Sequence, residues 1–120
     1  MSVQTYRRNI MYTIKETPLE AWTKVRDWFS RPNAAFAVDP HSGDCVYRTS
    51  GGNRCALGVL IPDEVYEKEF EGIGVVALPL KFRHPETFDL MHHVQSLHDH
   101  GSMCSTIEDF LVDLDLYRPD

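Results

Sequence analysis

The sequence predicts a single α+β domain, and three observations carry that expectation. Two capping boxes, Thr17-Pro18-Leu19-Glu20 and Ser105-Thr106-Ile107-Glu108, each open a segment with helical apolar spacing. A Ser50-Gly51-Gly52-Asn53 turn separates two strand-like stretches at 44–49 and 54–60. The 120 residues, 42% hydrophobic and 25% charged, match the size and composition of one globular core. The expected architecture is a small antiparallel sheet, built on the 44–60 hairpin, packed by about four helices. Residues 1–16 are expected as an N-terminal strand or arm and 17–120 as the domain.

Taken in order, residues 3–14 alternate weakly, with Ile10, Tyr12 and Ile14 on one side, which suits a strand or an arm. In the first box the Thr17 hydroxyl can accept from the third helical amide while Glu20 reaches back, and Pro18 is tolerated in the first turn. Trp22, Val25 and Phe29 then give an apolar stripe that Arg31-Pro32 ends, since a residue before proline avoids the α region. After the hairpin, Pro62 followed by Asp63 and Glu64 predicts a short helix carrying Val65, Tyr66 and Phe70, closed by Glu71-Gly72. Residues 73–78 are rich enough in β-branched side chains for a further strand. Pro85 opens a helix that Gly101 is expected to stop, and Ile107, Phe110, Leu111 and Leu114 mark a last, core-facing helix.

No apolar run approaches the roughly 18 to 20 residues needed to cross a bilayer, and Gly74 and Pro79 interrupt Ile73 to Leu80. The basic pair Arg7-Arg8 is not followed by the apolar core of a signal peptide, so a cytoplasmic location is expected. The odd count of three cysteines suits a reducing compartment. Net charge is unevenly divided. Residues 1–60 hold eight Lys/Arg against five Asp/Glu, whereas 61–120 hold four against thirteen. The acidic half disfavours direct nucleic-acid binding and favours a partner with a basic surface. Gly51-Gly52 lacks the Lys-Ser/Thr pair and following helix of a phosphate-binding loop, and no cofactor is expected.

Five of the six histidines, His84, His92, His93, His98 and His100, fall within seventeen residues. On the 85–100 helix Leu90, Met91, Val94 and Leu97 would form the core stripe, with Asp89, His93 and His100 along one flank. That set is only a partial metal site, because Asp89 and His93 form half of one and no His-Glu-x-x-His pattern supplies a catalytic zinc and its base. Histidines near a helix C-terminus also cap it. Cys45 and Cys55, separated along the hairpin in either register, are too far apart for a disulfide and are expected as structural thiols. A thiol nucleophile at Cys45 or Cys55 would need His98 and Asp99 brought to it by the tertiary fold.

The chain resembles a set of small uncharacterised proteins of bacteriophages and prophages. The residues that carry the resemblance are Cys45-Val46-Tyr47-Arg48, Arg54-Cys55-Ala56-Leu57-Gly58-Val59-Leu60-Ile61-Pro62-Asp63, Tyr66, Glu71-Gly72 and Gln95-x-x-His98-Asp99, over roughly residues 20–100. It departs from them at Val59, where such proteins often carry cysteine. Within the pattern Arg48, Arg54, Asp63, Tyr66, His98 and Asp99 fit a core least easily, and they are expected either to line a polar pocket or interface or to pair within the fold.

What the resemblance implies is a phage accessory protein that binds and blocks a host factor, including nucleic-acid-binding defence proteins. The charge pattern accords with that, because 63–71 and 108–120 each carry net −4 and can cover a basic groove. Glu64, Glu67, Asp109 and Asp113 are the expected contact residues. The alternatives are a small enzyme or ligand-binding module using Cys45 or Cys55 with His98 and Asp99, or a metal on Asp89, His93 and His100. A virion or scaffold subunit, with Trp22, Trp28 and Tyr66 at its interface, is the third.

Overall fold

A computed structural model describes residues 11–104 and 106–119, apart from the side chains of 100–104. The described chain runs β1 (Tyr12–Ile14), α1 (Pro18–Phe29), α2 (Ala56–Leu60), 3₁₀ turns at Lys68–Phe70 and Val75–Ala77, β2 (Leu80–Phe82), α3 (Pro85–Cys104) and α4 (Ile107–Asp115). Four helices and a two-stranded sheet make it α+β, but the sheet is parallel and joins β1 to β2, in register Tyr12↔Leu80 to Ile14↔Phe82. The expected antiparallel hairpin is therefore corrected. Its turn exists, with Gly52 at φ 96° and Thr49 N–H donating to Asn53 O at 3.0 Å, yet only one bridge, Arg48↔Arg54, follows it.

The reason is Cys55. Its Sγ accepts from the Gly58 amide at 3.2 Å and caps α2, so residues 56–60 are helical rather than extended. The run is apolar on every side, and in such a short stretch periodicity does not separate strand from buried helix. Ile61 precedes Pro62 and is extended (φ −88°, ψ 117°), which ends α2 after five residues.

Three other expectations are corrected. Pro62 starts only a turn, with the Val65 and Tyr66 amides both donating to its carbonyl, because acidic residues four apart repel along a helix and Glu67 is extended. The strand expected at 73–78 is a 3₁₀ turn whose Val76 is 77% exposed, and pairing begins beyond Pro79. Gly101 does not stop α3, which continues to Cys104. The first capping box is present in full: Glu20 N–H donates to Thr17 Oγ1 at 3.2 Å and Thr17 N–H to Glu20 Oε1 at 2.9 Å. At α4 the cap is Thr106, which accepts from Asp109 N–H at 3.1 Å, one residue beyond the expected Ser105.

Of the segment expected as a strand or an arm over 3–14, Tyr12–Ile14 form β1, and residues 3–10 lie outside those described. In the core, α3 packs on α1, α2 and α4. Phe29 and Phe110 meet with ring centroids 4.8 Å apart, and Trp22 Nε1 donates to Leu114 O at 2.9 Å. Among the described residues no helix is long and apolar enough to cross a membrane.

Candidate functional site

The residues of the 45–99 sequence pattern converge from three chain segments: the 45–55 turn with the cap of α2, the 61–72 loop, and the inner face of α3. At the first junction Glu71 is the centre. Its carboxylate accepts from the Tyr47 amide at 2.9 Å, the Arg48 amide at 3.2 Å and the Tyr66 hydroxyl at 2.5 Å. Burial first, and then that bond to Glu71, push the Tyr66 phenol well above its ordinary range. The Tyr47 hydroxyl donates to Ile73 O, and burial, with smaller contributions from Cys55, Glu71 and Asp99, raises its pKa to about 12.

Arg48 donates to Asp63 Oδ1 at 2.7 Å and to Ile61 O, and its guanidinium lies 4.9 Å above the Tyr66 ring. Arg54 reaches the same Asp63 oxygen at 2.9 Å. Arg48, Arg54, Asp63 and Tyr66 thus form a network that pairs within the fold, whereas His98 and Asp99, grouped with them in the sequence, lie at a second junction.

The second junction is built on α3, where Gln95, His98 and Asp99 share a face at i, i+3 and i+4. Gln95 Oε1 accepts from the Leu57 amide at 3.0 Å, supplementing the cap of α2, while its Nε2 donates to Asp99 Oδ1 at 3.0 Å. His98, fully buried, accepts from Ala37 N–H at Nε2 (3.1 Å). Its proton therefore sits on Nδ1, which donates to Asp99 Oδ1 at 3.1 Å. Cys45 Sγ lies 3.6 Å from Asp99 O, and the ligand atoms of Cys45, His98 and Asp99 all fall within 4.8 Å of one another beside a hollow of about 170 Å³.

This is the thiol–imidazole–carboxylate set the sequence allowed, now tested by its hydrogen bonds. With Nε2 accepting from a backbone amide and Nδ1 carrying the proton, His98 has no lone pair for a proton from Cys45. A metal on Nδ1 would force the proton onto Nε2, against the Ala37 N–H. The donor set fits neither a general base nor a metal ligand and fits a structural lock between α3 and the 37–45 loop. Cys55 is buried, and burial raises its thiol to about 12, so it stays protonated near neutrality. Alkylation of the native protein at pH 8 followed by peptide mapping is expected to leave Cys55 unmodified, with labelling only after denaturation. Rapid native labelling would reverse that assignment.

Of the other expected metal set, Asp89 and His93 are exposed, and His93 stacks on Tyr117 at 5.9 Å. The side chain of His100 lies outside those described. The acidic contact residues occupy separate elements. Asp109 and Asp113 share the outer stripe of α4 with Val112 and Leu116, which are 65% and 79% exposed. Glu64 and Glu67 line a hollow of about 410 Å³ with Met11, Tyr12, Thr13 and Phe70. None of these four acids has an ion pair among the described residues.

Sequence reasoning had not placed Glu71 or Gln95 among the site residues. The available signals were the Glu71-Gly72 pair, with Gly72 at φ 84°, and the spacing of Gln95 from His98 and Asp99. No family model, curated protein or solved structure matches the chain.

Proposed function

We propose that this chain is a phage accessory protein acting as a non-catalytic inhibitor, binding a basic surface of a host factor, including antiviral-defence factors, through acidic side chains. One observation carries the reading. The pattern's polar groups are engaged with the chain's own backbone and with each other, whereas Glu64, Glu67, Asp109 and Asp113 have no ion pair among the described residues and three of them are exposed. On α4 the acids flank exposed Val112 and Leu116, an arrangement in which charge steers a partner and apolar area holds it.

The test is affinity capture from a bacterial host lysate with the native chain and with a variant carrying Glu64→Lys, Glu67→Lys, Asp109→Lys and Asp113→Lys. A partner held at low salt and released at high salt is expected, reduced about tenfold or more on the reversed variant. Equal capture by both proteins, or no captured partner at either salt, would overturn the reading.

A further inference from the structure

Among the described residues, no segment bonds to the edge of β1 that faces away from β2. In a parallel ladder alternate residues of a strand bond to the neighbour, and here Tyr12 N–H donates to Pro79 O at 3.0 Å while Ile14 O accepts from Arg83 N–H at 2.9 Å. Tyr12 and Ile14 therefore face β2, and the backbone N–H and C=O of Thr13 face outward, with no hydrogen-bond partner among the described residues. Unpaired strand edges invite another strand.

Thr13 also lines the 410 Å³ hollow, together with Glu64, Val65, Glu67 and Phe70. A second hollow of about 580 Å³, which includes Ile73 and Val76, shares Met11, Glu67, Phe70 and Pro79 with it, so the two form one groove. Most of its lining is apolar and includes the exposed Met11 and Val76. Lys15 is the one cation among the residues lining either hollow.

From these features we infer that the groove receives an extended, basic segment of a partner protein, added as a strand along β1. The added strand bonds to Thr13 through its backbone. Its apolar side chains enter the groove on Phe70 and Pro79, and its Lys or Arg side chains meet Glu64 and Glu67. The inference deepens the acidic-surface reading and rests on it, naming the partner's conformation and assigning it to this groove rather than to α4.

The probe is a nine-residue peptide of alternating Lys and Val, titrated into the full chain and followed by backbone amide shifts. Two further versions are N-methylated at the Lys or at the Val amides, and a fourth replaces Lys with Glu. Shifts are expected at Thr13, Lys15, Val65 and Phe70. One N-methylated version should bind about as the parent and the other at least tenfold more weakly, because a strand edge uses only alternate amides. Glu67→Lys and the Glu-Val peptide should each weaken binding about tenfold.

Thr13→Pro removes the outward N–H without touching the bonds to β2, and it should weaken the parent peptide to the same degree. Equal binding by both N-methylated peptides, shifts confined to α4, no binding at all, or a groove occupied by a second copy of the chain, seen as concentration-dependent sedimentation, would each overturn the inference. If the peptide fails while host capture still depends on the four acids, the groove assignment falls and the inhibitor reading stands. If capture fails too, both fall.

Discussion

Gly58→Ala is expected to destabilise the fold by about 3 kcal/mol, opposite in sign to what helix propensity predicts. Inside a helix the exchange normally stabilises by about 1 kcal/mol. Here a Cβ on Gly58 would sit 2.3 Å from Tyr47 O and 3.2 Å from Tyr47 C, both backbone atoms. Tyr47 O cannot withdraw freely, because it accepts from Cys55 N–H at 3.0 Å and the Tyr47 amide is held by Glu71. The strain must move α2 off the turn and disturb the bond from Gly58 N–H to Cys55 Sγ. Overpacking against flexible side chains costs about 1–3 kcal/mol, and a backbone contact belongs at the upper end or beyond.

In urea unfolding followed by the fluorescence of Trp22 and Trp28, the midpoint should fall by roughly 1–2 M. Gly74→Ala is the control, since a Cβ there meets nothing within 4 Å and φ is −64°. It should be neutral or stabilising by about 0.5 kcal/mol. A stabilised Gly58→Ala protein would mean that α2 does not rest on the 45–48 turn.

The same residue shows what the sequence could and could not disclose. α1 was legible because its start is written within four residues, Thr17 to Glu20, and its buried face within nine, Ala21 to Phe29. α4 was legible on similar local grounds, with the cap displaced by one residue. The 54–60 segment was not, because what makes it helical is a sulfur cap at Cys55 and a contact between Gly58 and Tyr47, eleven residues earlier. β1 and β2 are three residues each, too short for a periodicity to register, and they pair across 68 positions.

In the candidate site the pattern's residues could be read as a group. Their roles could not, because His98, Gln95 and Glu71 act on the backbone amides of Ala37, Leu57, Tyr47 and Arg48, and an amide's position leaves no trace in residue type.

Glu71→Ala should cost about 3 kcal/mol or more, against less than 1 kcal/mol for Asp63→Ala, although both acids belong to the same acidic run and both lie in the Arg48–Tyr66 network. Asp63 pairs with Arg48 and Arg54, but its side chain is 74% exposed, and solvent-screened pairs contribute little. Glu71 is half-buried and satisfies two backbone amides and one hydroxyl, so its removal leaves three donors to find partners.

Glu71→Gln retains one oxygen acceptor and should fall between the two. Urea midpoints give the ranking, and amide hydrogen exchange locates it, because Tyr47 and Arg48 should lose protection in Glu71→Ala and keep it in Asp63→Ala. Equal destabilisation by the two alanine variants would show that the cluster is held by its ion pairs. The ranking also bears on the binding surface. Of the five acids between 63 and 71, Glu71 is committed to the fold and Asp63 to two arginines. Net charge alone therefore overstates what a basic partner meets there, and Glu64 and Glu67, without an ion pair among the described residues, are where charge reversal should act without unfolding the chain.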